Sequence, residues 1–143
     1  MRRFLTESEE QEIIAAIAES EKQTSGEIRV HIEGKCAGDP VERAIEVFTK
    51  LEMMNTAERN GVLIYVATDD HKLAIIGDKG IDAVVPVDFW KSARDLMTTH
   101  FKRKHFATGI IGAVQIAGNQ LQNYFPFNKG DNDELTNEIS TGE

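Results

Sequence analysis

A chain of 143 residues is the size of one domain, so a single core is expected. With 41% hydrophobic and 28% charged residues it carries the apolar material for that core, which excludes wholesale disorder. A net charge of −8 repels phosphate backbones and anionic lipid heads, arguing against nucleic-acid and membrane partners, and it attracts cations.

Cys36 is the only cysteine, which rules out an intramolecular disulfide and a thiolate metal cage. Arg2 and Arg3 are followed by only two apolar residues, so no signal peptide is expected and the cytoplasm is the expected location. The run from Phe106 to Ala117 is too short and too mixed to span a bilayer.

In chain order, Thr6-Glu7-Ser8-Glu9 fits a capping box, and Ile13, Ala16 and Ile17 give the helix it opens an apolar stripe. Thr24-Ser25-Gly26 ends that helix. Residues 27–32 alternate, with Ile28, Val30 and Ile32 on one face and Glu27, Arg29 and His31 on the other, as in a half-buried strand toward a sheet edge. Asp39-Pro40-Val41-Glu42 starts a second helix with an expected buried stripe of Val41, Ala44, Ile45, Phe48 and Leu51. After the Asn60-Gly61 turn, residues 62–67 are apolar on both faces, the pattern of a central strand. Thr68-Asp69-Asp70-His71 then turns into an antiparallel partner at residues 73–76, closed by Gly77-Asp78-Lys79-Gly80.

Val87-Asp88-Phe89 is the expected start of another helix, burying Phe89, Ala93, Leu96 or Met97, and Phe101. A last helix, roughly Thr108 to Tyr124, is apolar on nearly every side up to Ala117. The expected fold is α/β, a three-layer αβα sandwich around a small mixed four-stranded sheet. The expected division is 1–127 for the domain and 128–143 for an acidic C-terminal segment that can dock as an edge strand.

Several stretches together resemble one known family: Thr24-Ser25-Gly26-Glu27-Ile28, Asn60 to Val66 ahead of Asp69-Asp70, Gly77-x-x-Gly80-Ile81, His100-Phe101-Lys102 and Phe106-Ala107-Thr108-Gly109. They resemble the TPM domain family, over about Phe4 to Phe125. The resemblance implies an αβα domain, calcium or another divalent ion in some members, and acid phosphatase activity in at least some. The chain departs from the family in its Gly77-Asp78-Lys79-Gly80 turn, where Gly-aromatic-Gly is more usual, and in its acidic tail.

Asp69 and Asp70 are the leading candidate metal ligands. They follow a central strand, where α/β sheets place ligand sites, and adjacent carboxylates repel unless a cation lies between them. A plain hairpin turn is the competing reading. Asp131, Asp133 and Glu134 form a second cluster able to fold around a hard cation, with Asn137 and Glu138 assisting if the tail docks; a solvated tail is the alternative. Asp39 is an N-cap that can reach the same end of the sheet. Oxygen ligands point to Ca²⁺, with Mg²⁺ or Mn²⁺ next.

The function expected is thus a divalent-metal-binding module with a regulatory or interaction role, its protein partner unidentified; the alternative is a metal-assisted acid phosphatase, resting on the resemblance. A cysteine phosphatase needs Arg six positions after its Cys, and position 42 is Glu42, so Cys36 with Arg43 fails the spacing. His31, His71, His100 and His105 are read as structural or solvated.

Overall fold

The structure, a computed structural model, describes residues 5–127 and 136–142. The first helix, α1 (Glu7–Ser20), is closed by the capping box: the Thr6 hydroxyl accepts from the Glu9 amide at 3.1 Å, and the Glu9 carboxylate accepts from the Thr6 amide at 2.9 Å. Strand β1 (Glu27–Glu33) follows, then α2 (Pro40–Lys50), whose N-cap is Asp39. Strands β2 (Gly61–Ala67) and β3 (Lys72–Gly77) form a hairpin. A single turn, α3 (Lys79–Asp82), leads to α4 (Lys91–Phe101), α5 (Phe106–Leu121) and the short β4 (Ser140–Thr141).

The four-stranded sheet runs β3-β2-β1-β4. β1 is parallel to β2 and to β4, while β2 and β3 are antiparallel. Because side chains alternate, β1 and β2 send Ile28, Val30, Ile32, Val62, Ile64 and Val66 into one core with α1, α4 and α5. Leu63, Tyr65, Ala67 and Ala74 point the other way, against Ala44, Val47 and Phe48 of α2. The architecture is a three-layer αβα sandwich, the class expected. Among the described residues no helix is long and apolar enough to cross a membrane.

Three local expectations are corrected. β1 lies inside the sheet because β4 pairs with it, and Glu27, His31 and Glu33 are buried. α2 buries Ala44, Val47 and Phe48, whereas Val41 and Ile45 stand exposed. That rotation places Ala44, Val47 and Phe48 against the sheet and carries Arg43 over Glu33, described below. Finally, α4 begins at Lys91, four residues after Val87, because residues 87–90 complete a turn after Pro86 that drops Phe89 and Trp90 into the core.

Candidate functional site

Two loops leave the carboxyl ends of the parallel pair, 34–39 after β1 and 68–71 after β2. Backbone bonds lock them side by side: the Thr68 amide donates to the Glu33 carbonyl at 2.9 Å and the Asp69 amide to the Gly34 carbonyl at 2.8 Å. His71, with φ of 55°, takes the left-handed conformation that lets the second loop reverse tightly. The Asp70 carboxylate crosses to the first loop and accepts from the Cys36 amide at 2.7 Å. Lys72, the first residue of β3, donates its ammonium to the carbonyls of Cys36 and Gly38, each at 2.8 Å. The first loop thus turns two carbonyl oxygens onto one cationic group.

Asp39, Asp69 and Asp70 therefore lie on loops at one end of the sheet. Their roles differ. Asp39 is exposed and accepts from the Val41 amide at 3.4 Å as the helix cap; Asp70 is exposed but committed to the Cys36 amide. Asp131, Asp133 and Glu134 lie outside the described residues. Glu138 lies elsewhere, its carbonyl accepting from Arg29 Nε at 3.4 Å along β1. Among the described residues no three His, Cys, Asp or Glu side chains group closely enough to hold a metal ion, so an ion here needs backbone oxygens as well.

Beneath the first loop sits a buried polar network that the sequence reading did not single out. Glu33 ends β1 almost wholly inaccessible, at 1% exposure. Arg43 of α2 closes on it with both prongs of its guanidinium, Nε to Oε2 and Nη2 to Oε1, each at 2.9 Å. The Tyr65 hydroxyl, from the neighbouring strand, donates to Oε2. His31 Nε2 lies 3.0 Å from Oε1, and its Nδ1 lies 2.9 Å from the Ser140 hydroxyl of β4. A carboxylate only accepts, so the proton of the neutral ring belongs on Nε2, leaving Nδ1 to accept from Ser140.

The network fixes its own charges. Burial alone raises the Glu33 pKa, but the hydrogen bonds from Arg43, Tyr65 and His31 outweigh it and hold the group at about 2. The bond to Glu33 raises Arg43, and burial followed by the same carboxylate pushes Tyr65 well up. Burial lowers His31, with Glu33 partly opposing. The C-terminal strand covers this cluster. Gly142 donates to the Ile32 carbonyl at 3.0 Å, and a Cβ there would stand 2.7 Å from Glu33 Oε1, so only glycine lets the backbone pass so near.

A cleft of about 350 Å³ opens beside the network, between loop 34–39 and α2, with Glu33 and Arg43 at its base and Glu42 and Glu46 on the helix side. Nothing in it resembles a phosphate cradle built on cysteine. The Cys36 thiol is buried beside the Gly38 carbonyl, and the fork of Arg43 is closed on Glu33.

Comparison with known proteins agrees with this architecture. The family model described as the TPM domain matches residues 1–120. The BA42 protein of the psychrophilic bacterium Bizionia argentinensis, solved by NMR, is 48% identical with a TM-score of 0.93, covering 99% of this chain and 98% of that one. The N-terminal domain of cg2496 from Corynebacterium glutamicum is 14% identical with a TM-score of 0.66, covering 82% of this chain and 74% of that one. An N-terminal domain from P. gingivalis is 15% identical with a TM-score of 0.68, covering 85% and 79%. At 14–15% identity these two share the fold alone. No curated protein matches the chain. On the family match across most of its length, and on the fold, the chain belongs to the TPM domain family.

Proposed function

We propose that the loops beyond β1 and β2 bind a divalent cation of the Ca²⁺ type, with Mg²⁺ or Mn²⁺ as competitors, and that occupancy orders the acidic loops for a regulatory or interaction role. The observation that carries this reading is the pair of carbonyls, Cys36 and Gly38, both aimed at the Lys72 ammonium, with the Asp70 carboxylate on the Cys36 amide of the same loop. Such an oxygen-lined turn suits a hard cation, and the ammonium holds the place of one. Asp69, Asp70 and Asp39 supply charge at the same end of the sheet. No observation favours a catalytic step, and none is assigned.

Calorimetric titration of Ca²⁺ into chelator-treated protein, followed by amide shifts, tests the reading. Saturable binding is expected, with shifts at Cys36, Gly38, Asp69 and Asp70. Asp69→Asn combined with Asp70→Asn is expected to weaken binding about tenfold or more, since two formal charges leave the site. Lys72→Met is expected to strengthen it about tenfold by removing the competing ammonium from a partly solvated site. No saturable binding up to millimolar Ca²⁺, in the parent chain and in Lys72→Met alike, would overturn the proposal.

A further inference from the structure

The sheet treats its two edges differently. On the β1 side, β4 covers the C-terminal half, and the Ile28 amide donates to the Glu21 carboxylate at 2.9 Å. On the β3 side no described residue pairs with the strand. Which backbone groups are open there follows from register. Gly61 stands one step beyond the Val62–Gly77 pair, and the Asp78 amide donates to its carbonyl at 2.9 Å. By alternation Lys72, Ala74 and Ile76 face β2, so Leu73, Ile75 and Gly77 turn their N–H and C=O groups outward. An edge of this kind is a template for another strand, and natural proteins ordinarily block it.

The walls beside this edge are apolar where solvent reaches them. On the α2 side Val41 and Ile45 are 45% and 52% exposed; on the other, Val87 is fully exposed above buried Trp90. Between these walls lies a cleft of about 410 Å³ with the C-terminal half of β3 as its floor. Arg94 lines it. Its guanidinium has no ion pair or side-chain hydrogen bond among the described residues, in a protein whose net charge is −8. Of the two acids in the lining, Asp78 is bound by Arg59 at 2.7 Å, and Asp82 remains to disfavour a second carboxylate.

We propose that this edge is a docking site for an extended peptide segment of a partner protein, with alternating apolar side chains and one carboxylate, which adds a fifth strand to the sheet. Cross-strand neighbours share a face, so residues opposite Ala74 and Ile76 enter the Val41–Ile45 wall. Those opposite Leu73, Ile75 and Gly77 enter the Val87–Trp90 wall, where the peptide's acid meets Arg94. Main-chain bonds to β3 supply affinity and the two walls supply selectivity, the physics of strand addition. A second copy of the chain fits less well. Its own β3, Lys72–Gly77, carries no carboxylate to meet Arg94.

The test uses the full chain and a capped seven-residue peptide of alternating valine and polar residues with one central glutamate. Trp90, the only tryptophan, reports binding by fluorescence, and amide shifts locate it. Saturable binding is expected, with protection of the Leu73, Ile75 and Gly77 amides. Ile45→Asp removes one anchor and is expected to cost about tenfold or more in affinity; Ile45 is exposed and Arg94 half-buried, so neither lies in the core. Arg94→Glu is expected to cost about tenfold and to reverse the preference, favouring a peptide with lysine in place of the glutamate. Absence of saturable binding at millimolar peptide overturns the proposal, as do shifts confined to other surfaces. Self-association of the chain that Ile45→Asp abolishes, with no response to peptide, also overturns it and assigns the edge to a second copy. Asp69→Asn with Asp70→Asn leaves peptide binding unchanged, which separates this site from the cation loops.

Discussion

Glu33→Ala is expected to lower the unfolding free energy by about 3 kcal/mol, at the lower end of what losing one partner of a buried ion pair costs. The lower end applies because Arg43 is a third exposed and can turn to water, whereas Tyr65 and His31 cannot. Most of the loss then comes from two buried polar groups left without acceptors, each worth about 1–3 kcal/mol. Tyr65→Phe removes one donor while leaving Glu33 with Arg43 and His31, so a smaller loss of about 1 kcal/mol is expected. Urea denaturation of the three proteins decides the matter. A Glu33→Ala loss no larger than that of Tyr65→Phe would mean that the network is not held together by the carboxylate.

The same network dictates the acid response. Glu33 is depressed from 4.5 to about 2 in the folded chain, so its contribution is complete above about pH 4.5 and vanishes as pH falls through about 2. His31 is lowered below 6.5 chiefly by burial, so folding resists its protonation, and that cost begins as pH drops below 6.5. Its ring is faced by Glu33, Arg43 and Arg29 as well as Ser140, and protonating Nδ1 destroys the acceptor that Ser140 uses. Protection of the Gly142 amide, measured against the intrinsic slowing of exchange in acid, is therefore expected to fall below pH 6.5, before global unfolding. A His31→Asn chain should lack that early step. An identical pH profile in both would remove His31 from the account.

The layers and most elements were readable because their signals are local. The capping box at Thr6, the Asp39-Pro40 start and the uniform apolarity of residues 62–67 each report on a neighbourhood of a few residues. The loops bearing Asp39, Asp69 and Asp70 followed from strand direction. What was missed depends on contacts distant in sequence. Glu27, Arg29 and His31 read as the polar face of an edge strand because nothing nearby foretells that Ser140 will pair beside His31. The stripe of α2 was misplaced because a period fits several rotations, and the one adopted brings Arg43 over Glu33 and leaves Val41 and Ile45 above the open edge. One signal was available. Tyr65 stands in a strand apolar on both faces, so its hydroxyl needed a buried partner, and the alternation of β1 places Glu33 on the same face of the adjacent strand.

Gly80→Ala is expected to be strongly destabilising, costing about 2–3 kcal/mol, the upper range for overpacking. A Cβ at Gly80 would fall 2.2 Å from the Glu58 carbonyl oxygen and 2.6 Å from that of Arg59. These are backbone atoms, and they are pinned. Arg59 has a φ of 52°, its carbonyl accepts from the Gly80 amide at 3.0 Å, and its side chain grips Asp78 through bonds of 2.7 and 3.0 Å. Asp78 in turn caps α3 through the Lys79 amide at 2.8 Å. Relief requires segment 58–59 to retreat, which breaks the Arg59–Asp78 pair. Arg59→Ala should therefore make Gly80→Ala cheaper, a coupling of about 1 kcal/mol in a double-mutant cycle. Gly38→Ala is the control: a Cβ there meets nothing within 4 Å, so a change near zero is expected. Strict additivity of Gly80→Ala and Arg59→Ala would show that α3 and segment 58–59 move independently, and the rim of the cleft beside β3 would then lack the rigid frame that an added strand needs.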